Sequence, residues 1–211
     1  EYRSERLMMH LRILSVALFL LAGSLFAEPV NGWLHWRGPL QTGVSLERDV
    51  PKTFSVDDAS LLFSMDLPGR GTPVVAGDRL YVWGYRGEGS ELQEVLLCLD
   101  AATGAKHWEH TFNDFLSDII YNRYAIGSPT VDPETGNVYL MSTAGVMTGF
   151  TPDGKQLWEE SMMEKYGRLT FPNGRTGAAS IVGDLVITRG ITTNWGANGP
   201  ARDRFYAFDK Y

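Results

Sequence analysis

The chain has 211 residues, of which 44% are hydrophobic and 12% aromatic, so it has enough apolar content to build a buried core. Its formal net charge of −6 excludes the basic surface that nucleic-acid binding requires, and we expect no nucleic-acid partner. The single cysteine, Cys98, stands between two leucines, which excludes an intrachain disulfide and indicates a small core residue.

The first 27 residues are typical of a targeting segment. Arg12 follows two methionines and precedes an apolar run from Ile13 to Ala22, small residues follow at Gly23 and Ser24, and cleavage is expected after Ala27. Such a run matches the core of a signal peptide, whereas a bilayer-spanning helix needs about 20 apolar residues. We therefore predict that 1–27 is upstream read-through plus a cleaved signal peptide. The protein is expected to have no membrane span and to be exported to the periplasm or the extracellular space.

Three similar segments follow an N-terminal segment at 28–70. Each opens on a glycine, continues into a β-branched stretch, turns at Gly-Asp or Gly-Asn, and ends in a second apolar stretch; they begin at Gly71, Gly127 and Gly177. A second shared block follows in each repeat and carries Trp108 in the first and Trp158 in the second. Both landmarks recur about every 50 residues, which indicates a repeat architecture.

Each repeat predicts one four-stranded antiparallel sheet. In the first repeat the strands are expected at 74–75, 80–83, 95–99 and around Trp108, separated by glycine-containing turns. No part of 28–211 has sustained helical periodicity. The pattern predicts an all-β fold, a β-propeller within 71–211, with blades at about 71–111, 127–160 and 177–211, the last one truncated.

Three blades do not close a propeller, because propellers have about four to eight. An open stack would leave strand edges unpaired, which is an aggregation liability. The chain is therefore expected to be the N-terminal piece of a propeller with seven or eight blades.

The turn in the first repeat carries a recognisable motif. Asp100-x-x-Thr103-Gly104-x-x-x-Trp108 resembles the tryptophan-docking motif of pyrroloquinoline-quinone-like (PQQ-like) propeller repeats, which belong to the quinoprotein alcohol-dehydrogenase-like superfamily. The resemblance implies that the glycine takes a positive φ and that the tryptophan packs between neighbouring blades. A shorter version occurs in the second repeat, so six structural docking residues are predicted: Asp100, Gly104, Trp108, Asp153, Gly154 and Trp158.

A second resemblance covers the N-terminal segment. Trp33-Leu-His-Trp36-Arg37-Gly38-Pro39, followed by Gly43-Val44-Ser45, is similar to the segment that precedes the propeller in large exported proteins of this repeat family.

The same family implies where ligands would bind. In such propellers they meet the face formed by the connections from the fourth strand of one blade to the first of the next, and from the second strand to the third. Those connections are long here, and long loops in compact domains are often functional. The candidate ligand-face residues are Arg123, Tyr124, Arg175, Asn194, Trp195 and Arg202. A structural role is the alternative for each, since arginines can satisfy carbonyls of adjacent blades and Trp195 can pack over its own blade.

No residue set predicts catalysis or metal binding. The histidines are dispersed, and no nucleophile or phosphate-binding motif is present. The repeats are also similar to those of the propeller subunit of the outer-membrane β-barrel assembly machinery. We therefore expect a non-catalytic binding or scaffold module with a protein, small-molecule or carbohydrate ligand. That lipoprotein subunit has an anchoring cysteine where this chain has Ser24.

The alternative is a PQQ- and calcium-dependent quinoprotein dehydrogenase that oxidises alcohols or sugars. This function is implied by the docking motif, and PQQ and calcium would be cofactors only in that case. Alcohol-oxidising members carry adjacent cysteines near the cofactor, whereas Cys98 stands alone.

Overall fold

The computed structural model describes residues 28–57, 60–113, 124–166, 176–190 and 204–211. These ranges contain three antiparallel sheets and one short α-helix. Each sheet coincides with one sequence repeat, so the prediction of an all-β fold built from antiparallel blades is confirmed. Among the described helices, none has the length and hydrophobicity that a membrane crossing requires.

Blade 1 contains the four strands that the first repeat predicts, plus one more. The strands are β1 (Gly32–Trp33), β2 (Val74–Ala76), β3 (Arg79–Arg86), β4 (Gln93–Asp100) and β5 (Lys106–Asn113). They are neighbours in sequence order, and every pair is antiparallel. The blade is therefore an up-and-down meander from β2 to β5, with β1 added at its inner edge.

Blades 2 and 3 repeat this meander. Blade 2 has β6 (Thr130–Val131), β7 (Val138–Met141), β8 (Val146–Phe150) and β9 (Gln156–Ser161), followed by the helix α1 (Met162–Tyr166). The described part of blade 3 has β10 (Ser180–Val182), β11 (Leu185–Gly190) and β12 (Arg204–Asp209). The four strands of each meander are called A to D from the inner edge outwards. In blade 1, strand A is β2, and β1 lies outside this scheme.

The N-terminal segment reaches the inner edges of two blades, which the repeat pattern does not predict. β1 pairs with β2, placing Gly32 opposite Ala76. On its other side, the Val30 N–H donates to the carbonyl of Pro133 (2.7 Å), and the Val131 N–H donates to the carbonyl of Leu34 (2.9 Å). We call residues 29–43 the strap. The first part of the strap therefore bridges the first strands of blades 1 and 2.

Side chains alternate along each strand and build one core on each side of a blade. On β4, Leu96 and Cys98 face blade 2, whereas Val95, Leu97 and Leu99 face the opposite side. The core between blades 2 and 3 is rich in methionine and contains Tyr139, Met141, Met147, Met162, Ala179 and Val186. Stacking of blades therefore buries most of the large apolar side chains.

The glycines that open the first two repeats, Gly71 and Gly127, lie close to the backbone or side chains of the next blade. A Cβ on Gly71 would lie 2.1 Å from the carbonyl oxygen of Gly127, and a Cβ on Gly127 would lie 2.9 Å from Oγ1 of Thr176. At the same point the Thr72 N–H donates to Oγ of Ser128 (2.7 Å). These close approaches explain why the first two repeats begin with glycine.

Candidate functional site

The indole of Trp108 lies over a turn of the next blade. Its Nε1 donates a hydrogen bond of 2.8 Å to the carbonyl of Pro152, and its ring centroid is 5.9 Å from that of Phe150. The turn glycine, Gly154, has φ +85°, and a Cβ there would lie 2.7 Å from the indole. The contact therefore requires both the positive φ and the missing side chain of glycine.

Asp100 shapes the corresponding turn of blade 1. Its Oδ1 accepts hydrogen bonds from Oγ1 and the backbone N–H of Thr103, both 2.7 Å. These hydrogen bonds lower the pKa of the Asp100 carboxyl group, because they favour its ionised form. Gly104 ends the turn with φ +73°. The carboxylate is thus engaged in holding its own turn.

The same turn chemistry occurs away from the docking position. In the A–B turn of blade 2, Asp132 accepts from Oγ1 of Thr135 (2.7 Å), and Gly136 has φ +73°. An Asp-x-x-Thr-Gly sequence therefore specifies a local turn, and tryptophan supplies the contact between blades.

Trp158 occupies the analogous position between blades 2 and 3. Its ring stacks between Tyr139, at 5.9 Å, and Phe208, at 5.7 Å, each with an interplanar angle of 28°. Within the described residues its buried Nε1 has no hydrogen-bond partner. Asp153 is exposed in the turn of blade 2, where Oγ1 of Thr151 accepts from the Lys155 N–H (3.1 Å).

Five of the six candidate ligand-face residues lie outside the described residues: Arg123, Arg175, Asn194, Trp195 and Arg202. The sixth, Tyr124, is only 2% exposed, and its ring meets that of Tyr85 edge-on at 5.5 Å. The ligand face therefore stays a prediction.

A buried carboxylate that the sequence analysis missed lies at the end of the blades where that face is expected. Glu94, on β4, accepts hydrogen bonds from the Ala125 N–H (2.7 Å), the Thr143 N–H (2.8 Å) and the Thr143 hydroxyl (2.5 Å). Ala125 has φ +49°, and its carbonyl accepts from the N–H groups of Arg70 and Gly71. Glu94 therefore fixes two connections of blade 2 against blade 1.

Replacing Glu94 with glutamine should lower the free energy of unfolding by about 2 kcal/mol, because an NH2 group would face donors that now point at a carboxylate oxygen. The effect is measured by urea unfolding of full-length protein. Glu91→Gln, at an exposed position just before β4 in the B–C connection, is the matched control and should change stability by less than about 0.5 kcal/mol. An unchanged midpoint for Glu94→Gln would contradict the anchoring role.

A second missed group lies at the opposite end, between blades 2 and 3. The fully buried Nζ of Lys210 lies 2.6 Å from Glu134, 3.3 Å from Asp132 and 3.6 Å from Asp184. The hydrogen bond that Lys210 donates to Glu134, together with the neighbouring carboxylates, raises the pKa of Lys210. The Tyr139 hydroxyl donates to the Lys210 carbonyl (2.6 Å), and burial raises the pKa of Tyr139 to about 12. Lys210 therefore joins blade 3 to blade 2 by charge and hydrogen bonding.

The sulfur of Cys98 is buried between blades, and burial raises the pKa of its thiol. Nη1 of Arg79 lies 3.8 Å from the sulfur and also donates to the carbonyl of Pro152 (3.0 Å). A protonated, enclosed thiol is a poor nucleophile.

The histidines remain apart. His110 packs against Phe112 and Phe150, with centroids 4.7 and 4.8 Å away, and His107 is exposed on the same strand. His35 lines a cavity of about 360 Å³ beneath the strap, together with parts of Val131, Glu134 and Ile181. In the part of the chain that the structure describes, no three His, Cys, Asp or Glu side chains are grouped to hold a metal ion.

Burial lowers the pKa of His110, although the charge of Glu159 acts in the opposite direction. The unfolded chain therefore binds this proton first as the pH falls below about 6.5, and stability decreases between that pH and the lower folded-state pKa. We expect His110→Gln to flatten this part of the stability–pH curve, and His107→Gln, the exposed control, to leave it unchanged. Equilibrium unfolding between pH 5 and 8 measures the slopes, and equal slopes in wild type and His110→Gln would contradict the assignment.

Comparison with known proteins agrees with this geometry. The family model for the outer membrane protein assembly factor BamB matches residues 28–195, which include the strap, blades 1 and 2 and the start of blade 3. The chain belongs to this family. It has the family's PQQ-like repeats, so the prediction of such repeats is confirmed. No curated protein sequence matches the chain significantly.

Solved structures show the same fold at low identity. A europium-containing methanol dehydrogenase has 20% identity and a TM-score of 0.51, with 72% of this chain and 25% of that chain covered. The quinohemoprotein alcohol dehydrogenase of Comamonas testosteroni has 22% identity and a TM-score of 0.44, with 68% and 20% covered. BamB of Moraxella catarrhalis has 20% identity and a TM-score of 0.41, with 67% and 41% covered. The chain thus spans less than half of each of these proteins.

Proposed function

We propose that this BamB-family chain belongs to an exported, non-catalytic propeller that binds protein partners as a scaffold in outer-membrane protein assembly. The strongest support is that the buried polar groups at the end of the blades where ligands are expected hold loops in place. Glu94, the buried acid described there, has three hydrogen bonds from the main chain and hydroxyl of blade 2. A general acid or base needs a carboxylate that can exchange a proton with substrate, whereas this one holds loops in place.

The described residues support the dehydrogenase alternative less well. Calcium prefers six to eight oxygen ligands, and the described ranges offer no such group of acidic side chains. Cys98 is single and enclosed between two blades. These residues do not fit a site for PQQ and calcium, and we derive no catalytic step from either group.

Reconstitution tests the non-catalytic part of the proposal. The full-length protein is incubated with PQQ and calcium and assayed for dye reduction with primary alcohols and aldoses. We expect no reduction above the rate of the quinone alone, and no saturable change in quinone absorbance. Turnover with either substrate class would establish the dehydrogenase alternative instead.

The binding part needs a positive measurement. A photo-crosslinking amino acid is placed in cells at Arg175 or Arg202, on the predicted ligand face, and at Lys155 as a control, because Lys155 is exposed on the turn at the other end of blade 2. We expect cross-links to outer-membrane assembly components from the face positions alone. Equal cross-linking from Lys155 would contradict a partner surface at that face. Recovery of the tagged protein from the periplasmic fraction tests its export.

A further inference from the structure

The part of the strap that follows β1 folds into tight turns of its own. The Gly38 N–H donates to the carbonyl of His35 (2.7 Å). The Gly43 N–H donates to the carbonyl of Arg37 (2.9 Å), and the Arg37 guanidinium donates to the carbonyl of Thr42 (3.0 Å). These hydrogen bonds hold 35–43 together as one compact unit at the end of the blades.

One side chain of this unit enters the space where blades 2 and 3 meet. His35 is only 7% exposed and follows Leu34, whose carbonyl accepts from the Val131 N–H of blade 2 (2.9 Å). Its imidazole lies near the carbonyl of Ala179, which precedes β10 of blade 3. The same carbonyl accepts from the Thr130 hydroxyl of blade 2 (2.9 Å). His35 therefore anchors the strap to both blades.

The surroundings of the imidazole suit its neutral form. Nδ1 accepts from the Arg37 N–H (3.3 Å), so the proton of the neutral ring is on Nε2. Nε2 is buried without a well-formed hydrogen bond among the described residues, although the carbonyl of Ala179 lies near it. A second proton would bind to Nδ1. It would bury a cation and would face a peptide N–H that now donates to that nitrogen.

The charged groups around His35 do not offset this cost. On the strap itself, the positive charge of Arg37 opposes a second positive charge on the imidazole. The carboxylates at this end of blades 2 and 3 all pair with the buried ammonium of Lys210: Asp132, Glu134 and Asp184. Burial is the main cause that lowers the pKa of His35, and the Arg37 charge adds to it, whereas the carbonyl of Ala179 acts in the opposite direction.

We propose that His35 is an acid-sensitive latch, and that protonation of its imidazole releases residues 34–43 from blades 2 and 3. The proton breaks the hydrogen bond from the Arg37 N–H, and water can solvate the imidazolium once the strap has moved away. Release uncovers the cavity of about 360 Å³ that His35 lines. The pairing of β1 with β2 does not involve His35, so the released segment stays attached to blade 1. The latch is independent of the proposed scaffold function.

The latch should be closed above the pH at which an ordinary histidine titrates. In the open strap, His35 is solvated and has the usual pKa of about 6.5. In the closed strap its pKa is lower. The ratio of open to closed strap is therefore constant above about pH 6.5. Below that pH it rises by up to about 10-fold per pH unit, until the pKa of the closed form is reached.

Hydrogen–deuterium exchange of the full-length protein measures this ratio, after correction for the intrinsic effect of pH on amide exchange. The reporter amides are Gly38, Gly43 and Val131. Their protection should fall by up to about 10-fold between about pH 7.5 and pH 5.5. The amides of β4 should stay better protected than the reporters at each pH, because the strap opens without unfolding blade 1. Reporter protection that does not change with pH would overturn the proposal, and so would equal protection in β4 and the strap.

Substitution separates protonation from packing. His35→Asn keeps an acceptor at the place of Nδ1 and does not titrate, so its reporter protection should be independent of pH. His107→Gln, at an exposed position, is the control and should show the same fall as wild type. A full fall in His35→Asn would contradict the latch. If His35→Asn leaves the strap open at every pH, NMR titration of wild-type His35 decides. A pKa at or above about 6.5 would then overturn the proposal.

Discussion

Replacing Trp108 with alanine is expected to lower the free energy of unfolding by about 3–4 kcal/mol, the largest effect predicted for any residue of this chain. Alanine removes the indole from its place over Gly154 and leaves a gap between two blades. It also leaves the carbonyl of Pro152 without the 2.8 Å hydrogen bond from Nε1, although Arg79 still donates to that oxygen. Urea unfolding measures the loss. It is monitored by far-UV circular dichroism, because the substitution itself would change the tryptophan fluorescence.

Two further variants separate packing from hydrogen bonding. Trp108→Phe retains an aromatic ring over the glycine turn and loses the Nε1 donor, so we expect a loss of about 1–2 kcal/mol. Trp36→Ala is the control, because Trp36 is half exposed and belongs to the strap; it should cost less than about 0.5 kcal/mol. If Trp108→Ala behaved like Trp36→Ala, the docking role would be wrong.

The strands of the blades were predictable because each strand has a local sequence signal. β-branched and aromatic residues in short runs, bounded by glycine turns, predict β2 to β4 and β6 to β8, and the strands found include every predicted core position. The repeat then predicts a third sheet, of which the structure describes β10 to β12. Because the signal is carried by residues within about ten positions of each other, no knowledge of the tertiary structure is needed.

Elements without a local signal were not predictable. β1 has two residues, and it exists because the edges of β2 and β6 offer hydrogen bonds to the strap. The helix α1 has five residues, too few for a helical period, and is held by Met162, which is buried between blades 2 and 3. The helix α1 is therefore a short addition to a fold that is otherwise all-β, as predicted.

Phe63 packs against Gly104 as Trp108 packs against Gly154, and it escaped prediction for a different reason. A search for recurring tryptophan finds Trp108 and Trp158 and passes over a phenylalanine in the same structural place. The contact that identifies it, the close approach to Gly104, exists only after the chain has folded. Spacing does not identify it either, because Trp108 and Trp158 precede Gly127 and Gly177 by a much longer stretch of chain than Phe63 precedes Gly71.

Buried charges were the least predictable feature of the candidate site. Glu94 and Lys210 are charged residues near strand ends, where charged side chains are usually solvated. The residues beside them in the sequence do not distinguish them from exposed residues such as Glu91 and Lys165. Their partners lie far away in sequence, at Thr143 for Glu94 and at Asp132 and Glu134 for Lys210. Sequence patterns specify which face of a strand is apolar, and they do not specify which charge the next blade will enclose.

Lys210→Met is expected to lower the free energy of unfolding by about 3 kcal/mol. Removing one member of a buried ion pair leaves the other charge without compensation, and Asp132 is almost fully buried. The substitution preserves much of the side-chain volume, so the loss reports the charge and its hydrogen bond to Glu134. Lys165→Met removes an exposed ion pair with Glu160 and should leave the unfolding midpoint nearly unchanged, because solvent screens exposed ion pairs.

A second substitution determines whether the uncompensated charge is the cause. In the Lys210→Met background, Asp132→Asn removes that charge and keeps an oxygen that can accept from the Thr135 hydroxyl. The double variant should therefore be more stable than the sum of the two single losses predicts, by at least about 1 kcal/mol. If the losses add, the effect of Lys210→Met comes from packing of its carbon chain between the blades. Blade 3 would then be held to blade 2 by the Trp158 stack and the methionine-rich core, with no contribution from the ion pairs.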